Sequence, residues 1–320
     1  MPTAQDPLVV VCGATGSQGS SVAQYLIRDG GYKVRALTRN QDSEKAKGNS
    51  STQGAEVVQC DLTKEEQVKA ALAGAYAVFG LTNFWEHGED SEVRQGINLA
   101  DAAKSAGVQH FVWSSCPHID GEAPRHWESK AKVNEYLHEI GVPTTTYGSF
   151  LTESFINSHG HHSVFPSFYY QNLWMFFPPK QQPDGSLILD WIFPNDVQIP
   201  SFSVDDLGAW VKIVLKNPGT WIGKEIKLCS EVLTPRDYSV KLSSGLGIEV
   251  SRKEVSIAEF EALRPHVPID IWLNIKGFLD NPHLMTEGIE TSKQLFPELQ
   301  NLEGFSKKHK DKLLAAAVSS

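Results

Sequence analysis

Short apolar runs alternate with amphipathic segments through the first 150 residues of the chain. Continuous apolar runs are typical of strands that are buried on both faces of a parallel sheet. The amphipathic segments between them predict the crossover helices of such a sheet. The pattern predicts strands at 8–12, 33–38, 55–59, 76–81, 109–114 and 143–147, with helices after 16 and near 63–74, 90–105 and 127–139. Thr63 and Glu66 have the spacing of a capping box, and Asp42 is predicted to cap a further helix that has Glu44 in its first turn. We therefore expect a doubly wound α/β domain over residues 1–150.

The pattern changes after about residue 150. Histidine, aromatic residues and proline are frequent between 157 and 183, and an amphipathic helix is predicted through Trp210 and Leu215. The segment 224–228 has the pattern of a late strand, and Thr234 is predicted to open a helix. We expect 151–320 to form a smaller α-rich lobe that binds a substrate or a partner, with some segments returning to the first sheet.

Composition narrows the class of protein. The 320 residues are 41% hydrophobic and 21% charged, with a formal net charge of −9, which is ordinary for a globular protein. The acidic balance argues against direct nucleic-acid binding. The sequence contains no run of 18 apolar residues, so no membrane-spanning helix is predicted. We expect a soluble cytoplasmic protein, with a nuclear location as an alternative, that is a monomer or a homodimer. The four scattered cysteines are interpreted as buried reduced thiols.

A glycine-rich turn follows the first predicted strand. It has the spacing G-x-x-G-x-x-G and consists of Gly13, Ala14, Thr15, Gly16, Ser17, Gln18 and Gly19. Between a strand and a helix, such a turn presents backbone N–H groups and a helix N-terminus to a pyrophosphate. We therefore predict a dinucleotide site, with a purely structural turn as the alternative.

The end of the second strand bears on the choice of dinucleotide. A carboxylate at this point bonds the ribose 2′-OH of NAD, whereas an arginine accommodates the 2′-phosphate of NADP. Here the strand ends in Thr38, Arg39 and Asn40, without an acid. We predict NADP(H), with Arg39 as the phosphate ligand; the alternative is an ordinary surface charge. Asp61, after the third strand, is predicted beside the adenine or as a cap of the next helix.

Several strings of this sequence resemble the NmrA-like family, a branch of the atypical short-chain dehydrogenases/reductases. They are the glycine turn, Thr38–Asn40, Gly54–Gln59, Thr82–Glu86 and two stretches within 95–115. The string Thr82–Glu86 is the most specific and is similar to that of mammalian redox-sensor members. The resemblance, which extends to about residue 230, implies an NADP-binding Rossmann domain. It places cofactor contacts at Gly13 to Gln18, Arg39, Asn40, Ser43, Asp61, Leu62, Thr82, Asn83, Phe84, Lys130, Leu151, Thr152, Glu153 and Ser154.

The candidate catalytic residues depart from the pattern of the wider superfamily. Typical reductases carry Tyr-x-x-x-Lys on the helix after the fifth strand, where Lys lowers the Tyr pKa and Tyr protonates an alkoxide. Here Lys130 stands at the Lys position and Ser115 at the strand end, but His126 replaces the Tyr. In one interpretation Lys130 only binds the nicotinamide ribose. In the other, His126, Tyr147 or Tyr169 supplies the proton.

Two functions therefore stay open. The first is an NADPH-dependent reductase of a small aromatic or conjugated substrate. The second is a non-catalytic NADP(H) redox sensor that regulates a transcription factor or an enzyme by protein contact. The aromatic residues between 165 and 177 are consistent with a substrate pocket, a partner surface or burial. The histidines at 159–162 lack the spacing of a zinc site, so no metal is predicted.

Overall fold

The strands and helices of the chain come from a computed structural model that describes residues 6–48, 52–116, 118, 121–147, 167–282 and 286–319. The strands in these ranges are β1 (Leu8–Val11), β2 (Lys33–Thr38), β3 (Glu56–Gln59), β4 (Ala77–Gly80), β5 (His110–Ser114), β6 (Thr144–Tyr147), β7 (Phe168–Tyr169), β8 (Lys180–Gln181), β9 (Leu187–Leu189), β10 (Ile199–Phe202), β11 (Glu225–Ile226), β12 (Glu231–Leu233) and β13 (Val250–Arg252).

The helices in the same ranges are α1 (Ser17–Asp29), α2 (Glu44–Gly48), α3 (Glu65–Leu72), α4 (Phe84–Ser105), α5 (Arg125–Glu139), α6 (Asn172–Met175), α7 (Leu207–Lys216), α8 (Pro218–Trp221), α9 (Pro235–Leu246), α10 (Ile257–Ala262), α11 (Ile269–Asp280), α12 (Thr286–Leu295), α13 (Leu302–Lys308) and α14 (Lys310–Ser319). Two 3₁₀ turns add Val204–Asp206 and Arg264–His266. None of the helices in the described part of the chain is both long and apolar enough to cross a membrane.

A parallel sheet forms the centre of the first of two compact units, which contains the described residues of 6–118, 125–147 and 205–226. Its strand order is β3-β2-β1-β4-β5-β6-β11, and every pairing is parallel. The order reverses at β1, which is the switch point of a doubly wound sheet. The predicted Rossmann fold is confirmed.

The apolar strands pack as the pattern predicts. Val9, Val10 and Val11 of β1 are fully buried, as is every residue of β5. On one face of the sheet Val10, Phe111 and Trp113 join a core with α3, α4 and α5 that includes Leu72, Leu99 and other apolar side chains. Each such side chain contributes about 1.5–3 kcal/mol by leaving water. This buried sheet therefore provides a rigid base for the turns that follow its strands.

The second unit contains the described residues of 121–124, 167–204 and 227–319. Two three-stranded sheets, β12-β10-β7 and β13-β9-β8, accompany its helices. The aromatic side chains Phe168, Trp191, Phe193 and Tyr238 are buried and contact one another at centroid distances of 5.1–6.3 Å. For Phe168, burial is therefore the interpretation that the structure supports. Phe176, by contrast, is 61% exposed.

Three local features differ from the sequence prediction. Helix α4 begins at Phe84 rather than near residue 90, because a short first turn precedes the long helix; Gly88, with a non-helical φ of +74°, forms the kink between the two. Helix α3 forms without the predicted capping box of Thr63 and Glu66, since Asp61 already accepts from Thr63 N and Oγ1. Helix α2 is capped by Ser43, not by Asp42.

The prediction of buried reduced thiols is confirmed. All four cysteines are free and buried. Burial raises the pKa of every thiol, to about 11 for Cys60 and to about 12 for Cys12, Cys116 and Cys229. Such thiols are protonated at neutral pH and are poor nucleophiles.

Candidate functional site

The predicted cofactor residues gather at one edge of the parallel sheet. Because all its strands run the same way, the turns after β3, β2, β1, β4 and β5 lie side by side at the carboxyl edge. They carry Asp61 and Leu62 after β3, Arg39 and Asn40 after β2, the glycine turn after β1, Thr82 to Phe84 after β4, and Ser115 after β5. The sequence therefore predicted residues that the fold places along one crevice edge.

The glycine turn leads directly into α1. Gly13 adopts a φ of +60°, and its carbonyl accepts from Gly16 N at 2.8 Å. Gly16 is the N-cap residue of α1 and provides no side-chain hydrogen bond. A Cβ at Gly19 would lie 2.3 Å from the carbonyl oxygen of Gly13, so only glycine allows this packing. The turn therefore presents a helix N-terminus framed by backbone alone, which suits a pyrophosphate.

Arg39 follows β2 and is paired with a residue that the sequence analysis did not select. Its Nη2 donates to Glu86 Oε1 at 2.7 Å, and its Nη1 donates to Glu86 Oε2. The Arg39 side chain is 63% exposed. Beside it, Asn40 Oδ1 accepts from Asp42 N at 2.9 Å, and Ser43 caps α2. The guanidinium thus has the planar, two-donor geometry that also binds phosphate.

The predicted cofactor residues after β3 and β4 have structural partners of their own. Asp61 accepts from Thr63, as noted above, and the Leu62 carbonyl accepts from Asn98 Nδ2 at 2.8 Å. Asn83 caps α4 by accepting from Trp85 N at 3.3 Å. Phe84 is buried. These contacts hold the turns after β3 and β4 in place along the crevice.

Lys130 lies in a buried polar network. Its Nζ donates to the Thr82 carbonyl at 2.9 Å, to Thr82 Oγ1 at 3.1 Å and to Glu92 Oε1. The carboxylate of Glu92 also accepts from Thr82 Oγ1 at 2.8 Å and from Ser129 Oγ. An ammonium has three N–H donors, and these acceptors use all three. A ribose hydroxyl could bind Lys130 only if one of them were given up.

The other two catalytic candidates are also engaged. Ser115 is fully buried, and its Oγ lies 3.2 Å from the Cys116 carbonyl and 3.3 Å from that of Lys130. The ring of His126 lies against Trp85 and Phe84, with centroid distances of 5.0 and 5.7 Å. These contacts alone account for the presence of both side chains at their positions.

Some predicted residues lie outside the described part of the chain. They are Leu151, Thr152, Glu153, Ser154 and the histidines of the 159–162 segment. Within the described ranges, no group of three or more His, Cys, Asp or Glu residues could hold a metal ion.

An open depression of about 830 Å³ lies at the opposite, amino edge of the sheet. It is lined by residues that begin strands or precede them, including Leu8, Lys33 and Tyr76. Ligands of doubly wound sheets bind at the carboxyl edge. The sheet edge with the glycine turn, rather than this depression, is therefore the candidate functional site.

Sequence analysis missed two carboxylates, Glu86 and Glu92. Both belong to α4, and their partners lie far along the chain, at Arg39 and Lys130. Glu86 is part of the string Thr82–Glu86, from which the resemblance implied a cofactor role only for Thr82, Asn83 and Phe84. Glu92 carried no local signal, because only the packing of α4 against α5 brings it to Lys130.

Comparisons with known proteins place the chain in a family. The model of the NmrA-like family matches residues 5–309. The chain belongs to the NmrA-like family. A Dictyostelium discoideum protein with an NmrA-like family domain is 29% identical over 260 residues, which cover 79% of this chain and 82% of that protein. The NmrA-like family domain-containing oxidoreductase notA of an Aspergillus species is 34% identical over 249 residues, 71% and 69% of the two chains.

Solved structures agree in fold. NmrA, a negative transcriptional regulator solved in complex with NADP, has a TM-score of 0.75 at 20% identity, and 95% of each chain is covered. The NADPH-dependent quinone oxidoreductase QOR2 of Escherichia coli, complexed with NADPH, has a TM-score of 0.68 at 21% identity, with 95% and 99% covered. The sequence-based prediction of NADP(H) agrees with the cofactors of these two complexes.

Proposed function

We propose that this chain is an NADPH-dependent reductase of a small aromatic or conjugated substrate. The observation that carries the proposal is the crevice edge, where an uncapped helix N-terminus and the Arg39 guanidinium follow neighbouring strands. Relatives such as notA are named oxidoreductases, which favours reduction over the other chemistries of this fold.

The described residues fit an NADP(H) molecule. The backbone of the turn from Gly13 to Gly16 would hold the pyrophosphate, and Arg39 would bind the 2′-phosphate. Asp61, after β3, lies on the same side of the glycine turn as Arg39, and Asn83, after β4, lies on its other side. Lys130 sits under the turn after β4 through its bonds to Thr82 and so fixes the shape of that turn.

NADPH supplies a hydride when it is bound, so the chain must supply or admit a proton. His126 is one helical turn before Lys130 on α5 and is partly exposed. Its imidazole is the described side chain best suited to acid catalysis near neutral pH. Lys130, with its three N–H donors engaged, acts on this proposal by positioning the turn rather than by donating a proton.

Turnover of NADPH tests the proposal. The purified protein would be saturated with NADPH and mixed with a panel of quinones, enones and imines, while the loss of NADPH absorbance is recorded. We expect at least one substrate class to be reduced. The variant Gly16→Val, which should not bind the cofactor, is the control for background oxidation. The variant His126→Gln should lower kcat by about 10²-fold, the lower end of the usual contribution of a general acid.

A redox sensor is the second candidate function, and a specific observation favours it. Lys130 and Ser115 are committed to internal hydrogen bonds, and His126 packs on aromatic rings. If NADPH-loaded protein reduces nothing in the panel, hydrogen exchange should be compared between the NADPH and NADP⁺ complexes. A difference in the protection of α4 and α5 would support the sensor, and identical protection would argue against it.

A further inference from the structure

The ion pair between Arg39 and Glu86 connects two turns that are not neighbours at the sheet edge. Arg39 comes directly after β2, and Glu86 lies in the first turn of α4, which follows β4. Strands β2 and β4 both pair with β1, one on each side. With neighbouring strands about 4.8 Å apart, the pair joins points about 10 Å apart across the end of β1. The glycine turn leaves the sheet between these two points.

Glu86 is held where it can reach this far. Asn83 caps the turn that carries it, and Gly88, with φ +74°, separates that turn from the rest of α4. Both carboxylate oxygens accept from Arg39, one from each Nη, so Glu86 occupies one two-donor face of the guanidinium. A 2′-phosphate that binds the same two N–H groups must displace the carboxylate.

Charge decides which ligand can make this exchange. A phosphate monoester carries a charge close to −2 at neutral pH, whereas the carboxylate of Glu86 carries −1. A ribose 2′-OH is neutral and has no charge with which to displace a carboxylate from a guanidinium. Binding of the 2′-phosphate therefore includes the free-energy cost of breaking the ion pair. Binding of NAD(H) leaves the pair intact and does not include this cost.

We propose that Glu86 is a specificity-determining residue: it is an internal competitor that occupies Arg39 across the crevice and is displaced by the 2′-phosphate of NADP(H). This inference rests on the NADP(H) site of the proposed function but not on catalysis. It predicts that the affinity for NADP(H) is weaker than Arg39 alone would allow. Exposed ion pairs of this kind shift an equilibrium about two- to fivefold.

Binding of small adenosine ligands tests the competition without any redox reaction. The probes are 2′,5′-ADP and 5′-AMP, which differ only in the 2′-phosphate, measured by calorimetry on the full chain. In Glu86→Gln, 2′,5′-ADP should bind about two- to fivefold more tightly, and 5′-AMP should bind as in wild type. Glu86→Asp keeps the charge but is one methylene shorter, so it should also tighten 2′,5′-ADP. The gain should largely disappear in the Arg39→Ala background.

Asp42→Asn is the matched control. Asp42 lies in the loop after β2, pairs with Lys47 at 2.8 Å and is exposed, so its loss removes the same charge without freeing Arg39. Equal tightening in Asp42→Asn would show a general field effect and overturn the proposal. An unchanged or weaker affinity of Glu86→Gln for 2′,5′-ADP would also overturn it, as would a loss of 5′-AMP affinity, which marks a ligand of the 2′-OH. Failure of the reductase proposal can be distinguished from failure of this one, because a protein without reductase activity can still show the predicted binding of 2′,5′-ADP and 5′-AMP.

Discussion

At the scale of single residues, two glycines of the turn after β1 meet different surroundings. A Cβ at Gly16 would have one close neighbour, the Gly13 carbonyl oxygen at 3.3 Å. A Cβ at Gly19 would overlap two backbone oxygens, of Gly13 at 2.3 Å and of Cys12 at 2.5 Å. The first glycine therefore leaves room toward a ligand, whereas the second is required by the packing of α1 on the sheet.

Valine substitutions should separate these two roles. We expect Gly16→Val to abolish NADPH binding, because the side chain would fill the pyrophosphate space, and to cost only about 1 kcal/mol of unfolding free energy. Gly19→Val should cost about 3 kcal/mol or more, because backbone atoms cannot move aside. Urea unfolding and NADPH titration of both variants provide the measurement. Normal NADPH affinity in Gly16→Val would contradict the assignment of the turn.

Local sequence is enough to propose the residues that contribute backbone or a single charge to the candidate site. The glycine turn and Arg39 are recognisable because their function depends on position next to a strand end. The partners of Arg39 and Lys130 could not be predicted in this way. Glu86 and Glu92 are separated from them by 47 and 38 residues, and only the folded sheet and helices bring them together.

At the scale of elements, the pair of Lys130 and Glu92 joins α5 to α4 in the interior. The carboxylate side chain is fully buried and the lysine side chain is 10% exposed. Removing one member of such a pair leaves the charge of the other member buried and unpaired in the protein interior. A second ion pair between the same helices, Lys132 with Glu89 at 2.6 Å, is exposed and provides a comparison.

Replacing one buried partner should destabilise the protein strongly. We expect Glu92→Gln to lower the unfolding free energy by about 3–5 kcal/mol, and Lys130→Met with Glu92→Leu to restore much of it. Lys132→Met, the matched surface control, should cost about 1 kcal/mol or less. Urea unfolding monitored by circular dichroism gives these values. A loss in Glu92→Gln no larger than that in Lys132→Met would show that Lys130 is not a buried, paired charge.

The accuracy of the element predictions followed how local their causes are. Strand β2 was predicted with its observed limits, because Gly30 and Gly31 end the preceding helix and the segment after them contains Val34, Ala36 and Leu37. The start of α4 was missed by six residues, since the first turn, before the kink at Gly88, is too short to show a helical period. The capping box at Thr63 failed because a competing acceptor, Asp61, lies two residues earlier.

At the scale of the whole molecule, the chain returns to its first unit after residue 204. Helix α7 packs against α1 so closely that a Cβ at Gly208 would lie 2.2 Å from the Ser21 carbonyl oxygen. Lys212 Nζ lies 2.6 Å from Asp29 Oδ2, and the adjacent strand β11 extends the parallel sheet beside β6. Periodicity predicted these elements individually. Their place in the first unit depends on contacts between segments that are distant in sequence, and the periodicity of a single segment carries no information about such contacts.

The same sheet buries a histidine whose hydrogen bonds determine its tautomer. His110 Nε2 lies 2.7 Å from Thr145 Oγ1, and that hydroxyl donates to the Trp221 carbonyl at 2.6 Å. The hydroxyl proton is therefore used, so Nε2 must be the donor and Nδ1 the unprotonated nitrogen. Nδ1 is buried and has no hydrogen-bond partner in the described part of the chain. A second proton would have no acceptor there.

The stability of the protein should therefore fall as the pH decreases below the ordinary pKa of histidine. Burial lowers the pKa of His110 from 6.5 to about 4, so between these values the unfolded chain binds a proton that the folded chain does not. The contribution of His110 to the free energy of unfolding is complete above about pH 6.5 and is lost progressively toward pH 4. Between pH 8 and pH 5 this loss amounts to about 2 kcal/mol. Asp29, with a pKa lowered to about 2, acts only in a more acidic range. Urea unfolding from pH 8 to pH 5 should show a shallower dependence in His110→Gln, whose amide does not titrate. Parallel curves for the variant and the wild type would mean that His110 is protonated in the fold.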